Sequence, residues 1–211
     1  MWGSLFDSDG IRKYLTTRER FRFVRAACKQ RCEVATFCLT LAFAGPRISE
    51  LLELPRERID VANCAIVFRT LKQRKSLIYR AVPVPPKLIA MLQRVHDLDA
   101  IDCDPKERIW NWGRTTAWKR VKAVMRSANI PERLTMPKSA RHAFGADAVQ
   151  NSVALNVVQR WMGHARIETT AIYTDAVGRE ERALASRAWK ALEGAMSPTT
   201  DRSDSDDRFR F

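Results

Sequence analysis

The stretch at residues 157–176, VVQRWMGHARIETTAIYTDA, contains one of the three histidines of the chain, His164, and one of its three tyrosines, Tyr173. A helix is predicted at residues 155–162, and the glycine that follows it is the residue type that commonly ends a helix. A second short helix is predicted at residues 168–176. The stretch therefore predicts two short helices, with His164 just beyond the first and Tyr173 inside the second.

Helices also dominate the rest of the predicted fold. Apolar residues at helical spacing, or apolar runs bounded by Gly and Pro, predict helices at residues 17–30, 33–43, 47–54, 87–98, 115–129, 139–150 and 179–195. Thr115 or Thr116 is the expected N-cap of the fifth of these. The stretches CAIVFRT and LIYRAVPV are rich in β-branched and aromatic residues, and the basic turn LKQRKS separates them, so they predict a β-hairpin. The fold class is therefore mainly α with a small antiparallel β-hairpin, an α+β fold.

The charge of the chain points to a polyanionic partner. The 211 residues contain 37 Lys and Arg against 24 Asp and Glu, which gives a net charge of +13 and a sequence pI near 10.1. Such an excess of cations is typical of proteins that bind nucleic acid. No apolar run approaches the length of a membrane span, and the start MWGSLFDSDGIRKYL lacks the order of a signal peptide. We expect a cytoplasmic protein that binds nucleic acid and not a membrane.

The cysteines do not predict a metal site. There are five, an odd number, with no CxxC pair. Cys28 and Cys32 share a helical spacing, but the other ligands of a zinc site are missing near them. Cys38 and Cys64 lie within apolar runs, so we expect free thiols that are mostly buried.

Four places in the chain suit chemistry on a phosphodiester: Arg47, the basic hairpin tip, Arg141, and the pair His164 and Tyr173. A phosphoryl-transfer transition state spreads negative charge over its non-bridging oxygens, and planar guanidinium groups and an imidazole donor stabilise that charge. A tyrosine hydroxyl has a pKa of about 10 when free. Two arginines beside it are expected to favour the phenolate, which is the better nucleophile.

Three short segments together resemble the tyrosine recombinases, or phage-type integrases. AGPRISELLEL, at residues 44–54, resembles the segment of that family around its first catalytic arginine. KSARHAFGADA, at residues 138–148, resembles the second segment, and the stretch at residues 157–176 resembles the closing segment with the nucleophilic tyrosine. The resemblance runs from about residue 17 to residue 195, in the order of the family and with its usual separations. It implies the fold of a recombinase catalytic domain.

The resemblance also implies a role for each matching residue. Arg47 and Arg141 would clamp the scissile phosphate, and His164 would donate a hydrogen bond to a non-bridging oxygen. Tyr173 would attack the phosphorus, form a 3′-phosphotyrosine link and release a 5′-hydroxyl. No metal and no nucleotide cofactor is implied, because the phosphotyrosine conserves the energy of the broken bond.

Two lysines stand at less certain positions of the pattern. Lys72, in the hairpin turn, would be the general acid that protonates the leaving oxygen, and Lys75 competes with it for this place. Lys138 stands where the family usually has a histidine, and an ammonium donates hydrogen bonds but does not accept a proton. Type IB topoisomerases resemble this chain in having a lysine there. His142 matches a second histidine common in the family and is given a supporting role.

Cationic helix faces predict further contacts to DNA phosphates. One face carries Arg18, Arg22 and Arg25, and another carries Lys119, Lys122 and Arg126. Lys75 is added from the hairpin tip.

The predicted organisation is a short extension at residues 1–16, a catalytic domain at 17–196 and a disordered tail at 197–211. Most members of the family have a DNA-clamping domain before the catalytic domain, and here about sixteen residues precede the first helix. The chain is therefore expected to be a minimal recombinase, the remnant of a larger enzyme, or one that relies on an accessory protein for the clamp. Exchange between two duplexes requires several protomers, so self-assembly on double-stranded DNA is expected.

The function predicted from sequence is site-specific recombination of DNA. One alternative within the same chemistry is relaxation of supercoils, as by a type IB topoisomerase. Another is a catalytically inactive protein that binds DNA and regulates recombination.

Overall fold

Eight α-helices and one three-stranded sheet make up the part of the chain described by the computed structural model, residues 5–71, 78–100 and 102–175 together with Ser186. The helices are α1 Thr17–Ala27, α2 Cys32–Ala44, α3 Ile48–Leu52, α4 Pro86–His96, α5 Arg114–Ser127, α6 Pro137–Gln150, α7 Leu155–Met162 and α8 Glu168–Ala171. The strands are β1 Ile59–Asp60, β2 Ala65–Arg69 and β3 Tyr79–Pro83. The predicted fold class is confirmed.

The predicted hairpin is present as β2 and β3, which pair antiparallel with Ile66 opposite Val82 and Phe68 opposite Arg80. Strand β1 pairs antiparallel with β2 on its other side. The sequence prediction missed β1 because two residues are too few to show an alternating pattern. Most of the hairpin turn, including Lys72 and Lys75, lies outside the described residues.

Helix α2 is the centre of the core. Phe37, Cys38 and Leu41 in this helix are completely buried, and α2 packs against α1, α4, α5 and α6. A helix that is apolar on every side needs such surroundings, because the hydrophobic effect removes each face from water. The N-terminal segment joins the same core through Leu5 and Leu15, which are also buried.

Three details differ from the sequence predictions. Helix α5 begins at Arg114 with Gly113 as its N-cap, because the backbone turns helical before either predicted threonine cap is reached. The last short helix ends at Ala171 and continues as a 3-10 turn, Ile172–Asp175. The expectation of mostly buried thiols is wrong: Cys38 is buried, but Cys28 and Cys32 are exposed, because they lie at the ends of helices where the polar face meets solvent.

The predicted helix at residues 179–195 and the predicted tail lie outside the described residues, apart from Ser186. The domain boundaries at residues 17 and 196 stay predictions. Within the described ranges, no helix is both long enough and apolar enough to cross a membrane.

Candidate active site

Arg47 enters the site from the turn between α2 and α3. Gly45 ends α2 in the left-handed conformation, with a φ of 59°, and a Cβ there would lie 2.5 Å from the Phe144 ring of α6. Glycine thus allows both the turn and the close approach of α6. Arg47 follows as the N-cap of α3, and 30% of its side chain is exposed.

Arg141 reaches the same place from α6, where it is buried. Its Nη1 donates to the carbonyl oxygen of Gly45 at 2.7 Å, and its Nη2 donates to the carbonyl oxygen of Met162. These are the C-terminal ends of α2 and α7, where carbonyl groups lack helical partners and the helix dipole is negative. Burial and the neighbouring Arg47 lower the pKa of Arg141 to about 9, so it remains a cation at neutral pH.

Glu50 joins the arginines into one network. Its side chain has no exposure and lies 2.7 Å from Nη1 of Arg47 and 2.6 Å from Nη2 of Arg80, with Nη1 of Arg141 at 3.8 Å. Burial alone raises the pKa of Glu50, but Arg80, Arg141 and Arg47 outweigh it and hold the pKa below its usual range. The carboxylate is therefore ionised and neutralises part of the arginine charge.

Sequence reasoning did not assign a role to Arg80. Its Nε donates to the carbonyl oxygen of Trp161 at 2.8 Å and its Nη1 donates to Oγ1 of Thr70 at 3.1 Å. The sequence of β3 did contain a signal for this inward position. Arg80 and Val82 alternate along the strand with exposed residues such as Tyr79, and this period of two places the arginine on the inward face.

Tyr173 lies in the 3-10 turn after α8, and the residue is only 1% exposed. Its Oη atom is 3.3 Å from Nδ1 of His142. The ring of His164 stacks on it, with centroids 6.2 Å apart and planes 15° apart, and Nδ1 of His164 is 2.9 Å from Oγ1 of Thr170. Two imidazoles thus contact the phenol, one from α6 and one from the loop that follows α7.

The two arginines favour the phenolate as expected, but they do not decide the pKa of Tyr173 in this structure. Burial raises the pKa of Tyr173 to about 12 and outweighs the opposite effect of Arg141 and Arg47. Burial and nearby cations also lower the pKa of His142 to about 4 and that of His164 to about 3. At neutral pH the site therefore has a protonated phenol between two neutral imidazoles.

A cavity of about 480 Å³ brings most of the predicted residues together. The predicted catalytic residues that line it are Arg47, Lys138, Arg141, His164 and Tyr173. Lys138 is exposed, and it also borders a second cavity of about 260 Å³ together with Lys13 and His142. Arg114, which sequence reasoning missed, lines the larger cavity from the first residue of α5. The roles of these residues stay predictions.

Apart from Lys75, which lies outside the described residues, the predicted DNA contacts do not line this cavity. Arg18, Arg22 and Arg25 are exposed on α1, and Lys119 is exposed on α5. Lys122 and Arg126 form ion pairs with Glu132, at 2.6 and 2.8 Å. The described ranges contain no group of three or more His, Cys, Asp and Glu side chains placed to hold a metal ion.

Comparison with known proteins gives consistent results. The family model described as "Phage integrase family" matches residues 13–179. "Tyrosine recombinase XerA" of Thermococcus onnurineus is 31% identical over 164 residues, which are 75% of this chain and 56% of the relative. The chain spans about half the length of the curated relatives it matches.

Two solved structures have the same fold. One is the catalytic domain of bacteriophage HP1 integrase, with a TM-score of 0.59 and 19% identity, over 90% of this chain and 98% of that one. The other is the XerH site-specific recombinase bound to its difH substrate, with a TM-score of 0.66 and 20% identity, over 87% of this chain and 59% of that one.

Proposed function

This chain belongs to the phage integrase family, and we propose that it cuts and rejoins DNA at specific sites through a 3′-phosphotyrosine at Tyr173. The observation that carries the proposal is the cavity lined jointly by Arg47, Arg141, His164 and Tyr173. These residues are far apart in sequence, so their meeting around a space large enough for a phosphate supports a common role.

In the proposed mechanism the scissile phosphate enters this cavity. Arg47 and Arg141 bind its non-bridging oxygens, because a guanidinium offers parallel donors that match a phosphate. His164 donates a hydrogen bond to one of these oxygens. This requires its proton on the nitrogen that faces the cavity, which is the tautomer obtained when Thr170 donates to Nδ1.

The bond changes follow from this arrangement. Oη of Tyr173 attacks the phosphorus and the bond to the 5′ oxygen breaks, so the protein is joined to the 3′ phosphate. Lys72 protonates the 5′ oxygen, or Lys75 does so in its place. Lys138, at the start of α6 beside the cavity, adds positive charge where the transition state becomes negative. A 5′-hydroxyl from a second strand then attacks the phosphotyrosine and restores both the DNA and the phenol.

The partners follow from this chemistry and from a solved structure of the same fold. The XerH structure is bound to its difH substrate, and we propose double-stranded DNA as the substrate here. Exposed Arg18, Arg22, Arg25 and Lys119, with Lys75, Lys122 and Arg126, would contact its backbone. Each active site joins one strand, so full exchange requires several protomers on the DNA. We also propose that an accessory protein clamps the duplex and that the protein acts in the cytoplasm, beside the DNA.

A nicked suicide substrate tests the proposal. The wild-type protein is incubated with a pool of duplexes that have random sequence around the nick, and covalent protein–DNA adducts are separated under denaturing conditions. We expect adducts from the wild type and none from Tyr173→Phe, which removes only the hydroxyl and keeps the buried ring. Both proteins should be retained on DNA equally. Sequencing of the trapped DNA would identify the target.

Two outcomes contradict the proposal. An adduct from Tyr173→Phe would show that another residue is the nucleophile. A wild-type protein that binds DNA and forms no adduct on any duplex would show that the site does not cleave.

A further inference from the structure

His142 contacts the reactive oxygen of the site from the helix that also carries Arg141. Its Nδ1 lies 3.3 Å from Oη of Tyr173. Gly145, one turn later in α6, lets the phenol ring lie directly on the helix, because a Cβ at this position would be 2.5 Å from Cζ of Tyr173. The helix thus has a space for the ring and an imidazole at its hydroxyl end.

The other nitrogen of this imidazole is unusual. Nε2 of His142 is buried and has no hydrogen-bonding partner among the described residues. Buried polar atoms in proteins nearly always have a partner, and one without it costs about 1–3 kcal/mol. His96 is the contrasting case, since it is also buried but its Nε2 is 2.9 Å from Oγ1 of Thr36. Nothing on the Nε2 side fixes the tautomer of His142, so Nδ1 can present a lone pair to the phenol.

The attacking hydroxyl needs a proton acceptor, because burial raises the pKa of Tyr173 to about 12. The cations beside it do not serve: Arg47, Arg141 and Lys138 have donors and no acceptor. His164 is engaged by Thr170 at Nδ1, and its other nitrogen is assigned to the phosphate. Among the described residues that line the cavity, His142 is the group whose free lone pair reaches the hydroxyl.

We propose that Nδ1 of His142 takes the proton of Tyr173 as the bond between Oη and phosphorus forms and the bond to the 5′ oxygen breaks. The proton returns to the phenol when the strand is rejoined, and the 5′ oxygen receives its own proton from the lysine of the hairpin. His142 thereby performs the step that Lys138 does not perform. This inference rests on the proposed function of the site.

The charges around His142 fit such a role. The groups that face it are Lys138 and Arg141 on its own helix, Lys13 on the N-terminal segment, and His164 and Tyr173 across the cavity. Burial, then Lys138, Arg141 and Lys13, lower the pKa of His142 to about 4, so the ring is neutral and its lone pair is free, but in the empty cavity it is a weak base. A bound phosphate brings negative charge into the cavity, which raises the pKa of His142 again and makes it a stronger base when substrate is present.

The test measures the single-turnover rate of adduct formation as a function of pH, on two suicide substrates. One has the natural 5′ oxygen at the scissile bond, and the other has sulfur there, a leaving group that needs no proton. His142→Asn retains a hydrogen-bonding group near the position of Nδ1 but does not accept a proton. His96→Asn is the matched control, a buried histidine outside the cavity.

We expect His142→Asn to form adducts about 10²–10³-fold more slowly on both substrates, as for the loss of a general base. Its rate should rise about tenfold per pH unit from about pH 6 to about pH 9, because only the phenolate then attacks. The wild type and His96→Asn should share a nearly flat profile on the sulfur substrate. A loss of packing alone would not create this slope.

Two results would overturn the role of His142. The variant could cleave at the wild-type rate with the wild-type profile, or the sulfur substrate could restore its rate, which would assign His142 to the leaving group. Should His142→Asn lose its thermal unfolding transition, His142→Ala replaces it: added imidazole should restore adduct formation, and failure to restore it with a folded variant contradicts the proposal. If the wild type forms no adduct with either substrate, it is the proposed function that fails.

Discussion

Replacement of Glu50 by Gln tests how the site holds three arginines in one place. The carboxylate accepts hydrogen bonds from the backbone nitrogen of Arg47 at 2.9 Å and from its Nη1 at 2.7 Å, and from Nη2 of Arg80 at 2.6 Å. Gln keeps the shape but removes the charge, and its amide group places donors against the guanidinium donors. Arg80 and Arg141 are then buried without a counter-ion.

The expected loss of stability is large. The Glu50 side chain has no exposure and that of Arg80 has 2%, so water does not replace the lost partner. Removing one partner of such a buried pair costs about 3–5 kcal/mol, a substantial part of the roughly 5–15 kcal/mol that stabilises a typical domain. Glu53→Gln is the matched control. Glu53 pairs with Arg69 at 2.7 Å, but the side chains are 36% and 39% exposed, and such pairs contribute at most about 1 kcal/mol.

Urea unfolding followed by circular dichroism measures both variants. We expect the free energy of unfolding to fall by about 3–5 kcal/mol in Glu50→Gln and by about 1 kcal/mol or less in Glu53→Gln. The pH dependence has a definite sign, because the folded pKa of Glu50 lies below its unfolded value. Its contribution is complete above the unfolded pKa, about 4.3, and is lost as the pH falls through the folded pKa. The difference between wild type and Glu50→Gln should therefore shrink in acid. Equal losses in the two variants would refute this account of the network.

Two further predictions concern cleavage and binding. Gly145→Ala should lower the rate of adduct formation without lowering DNA retention, because its Cβ would displace the ring of Tyr173. We expect this loss even though alanine itself favours a helix by about 1 kcal/mol. A rate within twofold of wild type would contradict the close packing. Glu132→Gln should raise the affinity for a random duplex and steepen the salt dependence of binding, because it releases Lys122 and Arg126 from their ion pairs. A filter-binding titration at several salt concentrations measures both effects. Unchanged affinity would place these cations away from DNA.

The elements of the fold were largely predictable because each has a local signal. The helical spacing in α1 and α5 and the β-branched and aromatic residues of β2 and β3 are properties of neighbouring residues, and so the elements were found. Their ends were less predictable. The N-cap of α5 is Gly113, although two threonines follow within the next residues, because tertiary packing decides where the backbone turns helical.

The residues of the site could be predicted because the three sequence segments that carry them occur in the order of the family. Arg47, Arg141, His164 and Tyr173 line one cavity, as the resemblance implied. The pKa of Tyr173 itself was not predictable, because a sequence displays charges but not burial, and burial outweighs the two arginines. The contact between His142 and Tyr173 was also missed, since it depends on how closely two helices approach.

The arginines of this site stabilise the fold, in addition to the role toward a phosphate proposed for Arg47 and Arg141. Arg141 donates to Gly45 and Met162 and Arg80 donates to Trp161, all backbone carbonyls near the ends of α2 and α7. These carbonyls have no helical partners, so the guanidinium groups act as caps while the cavity is empty. The donors are thereby fixed in place before a phosphate arrives, which is the condition for effective electrostatic catalysis. It follows that loss of cleavage after substitution of Arg141 combines lost structure with lost chemistry. Arg47 separates them better, since 30% of its side chain is exposed and its ion pair is to Glu50 in the next turn.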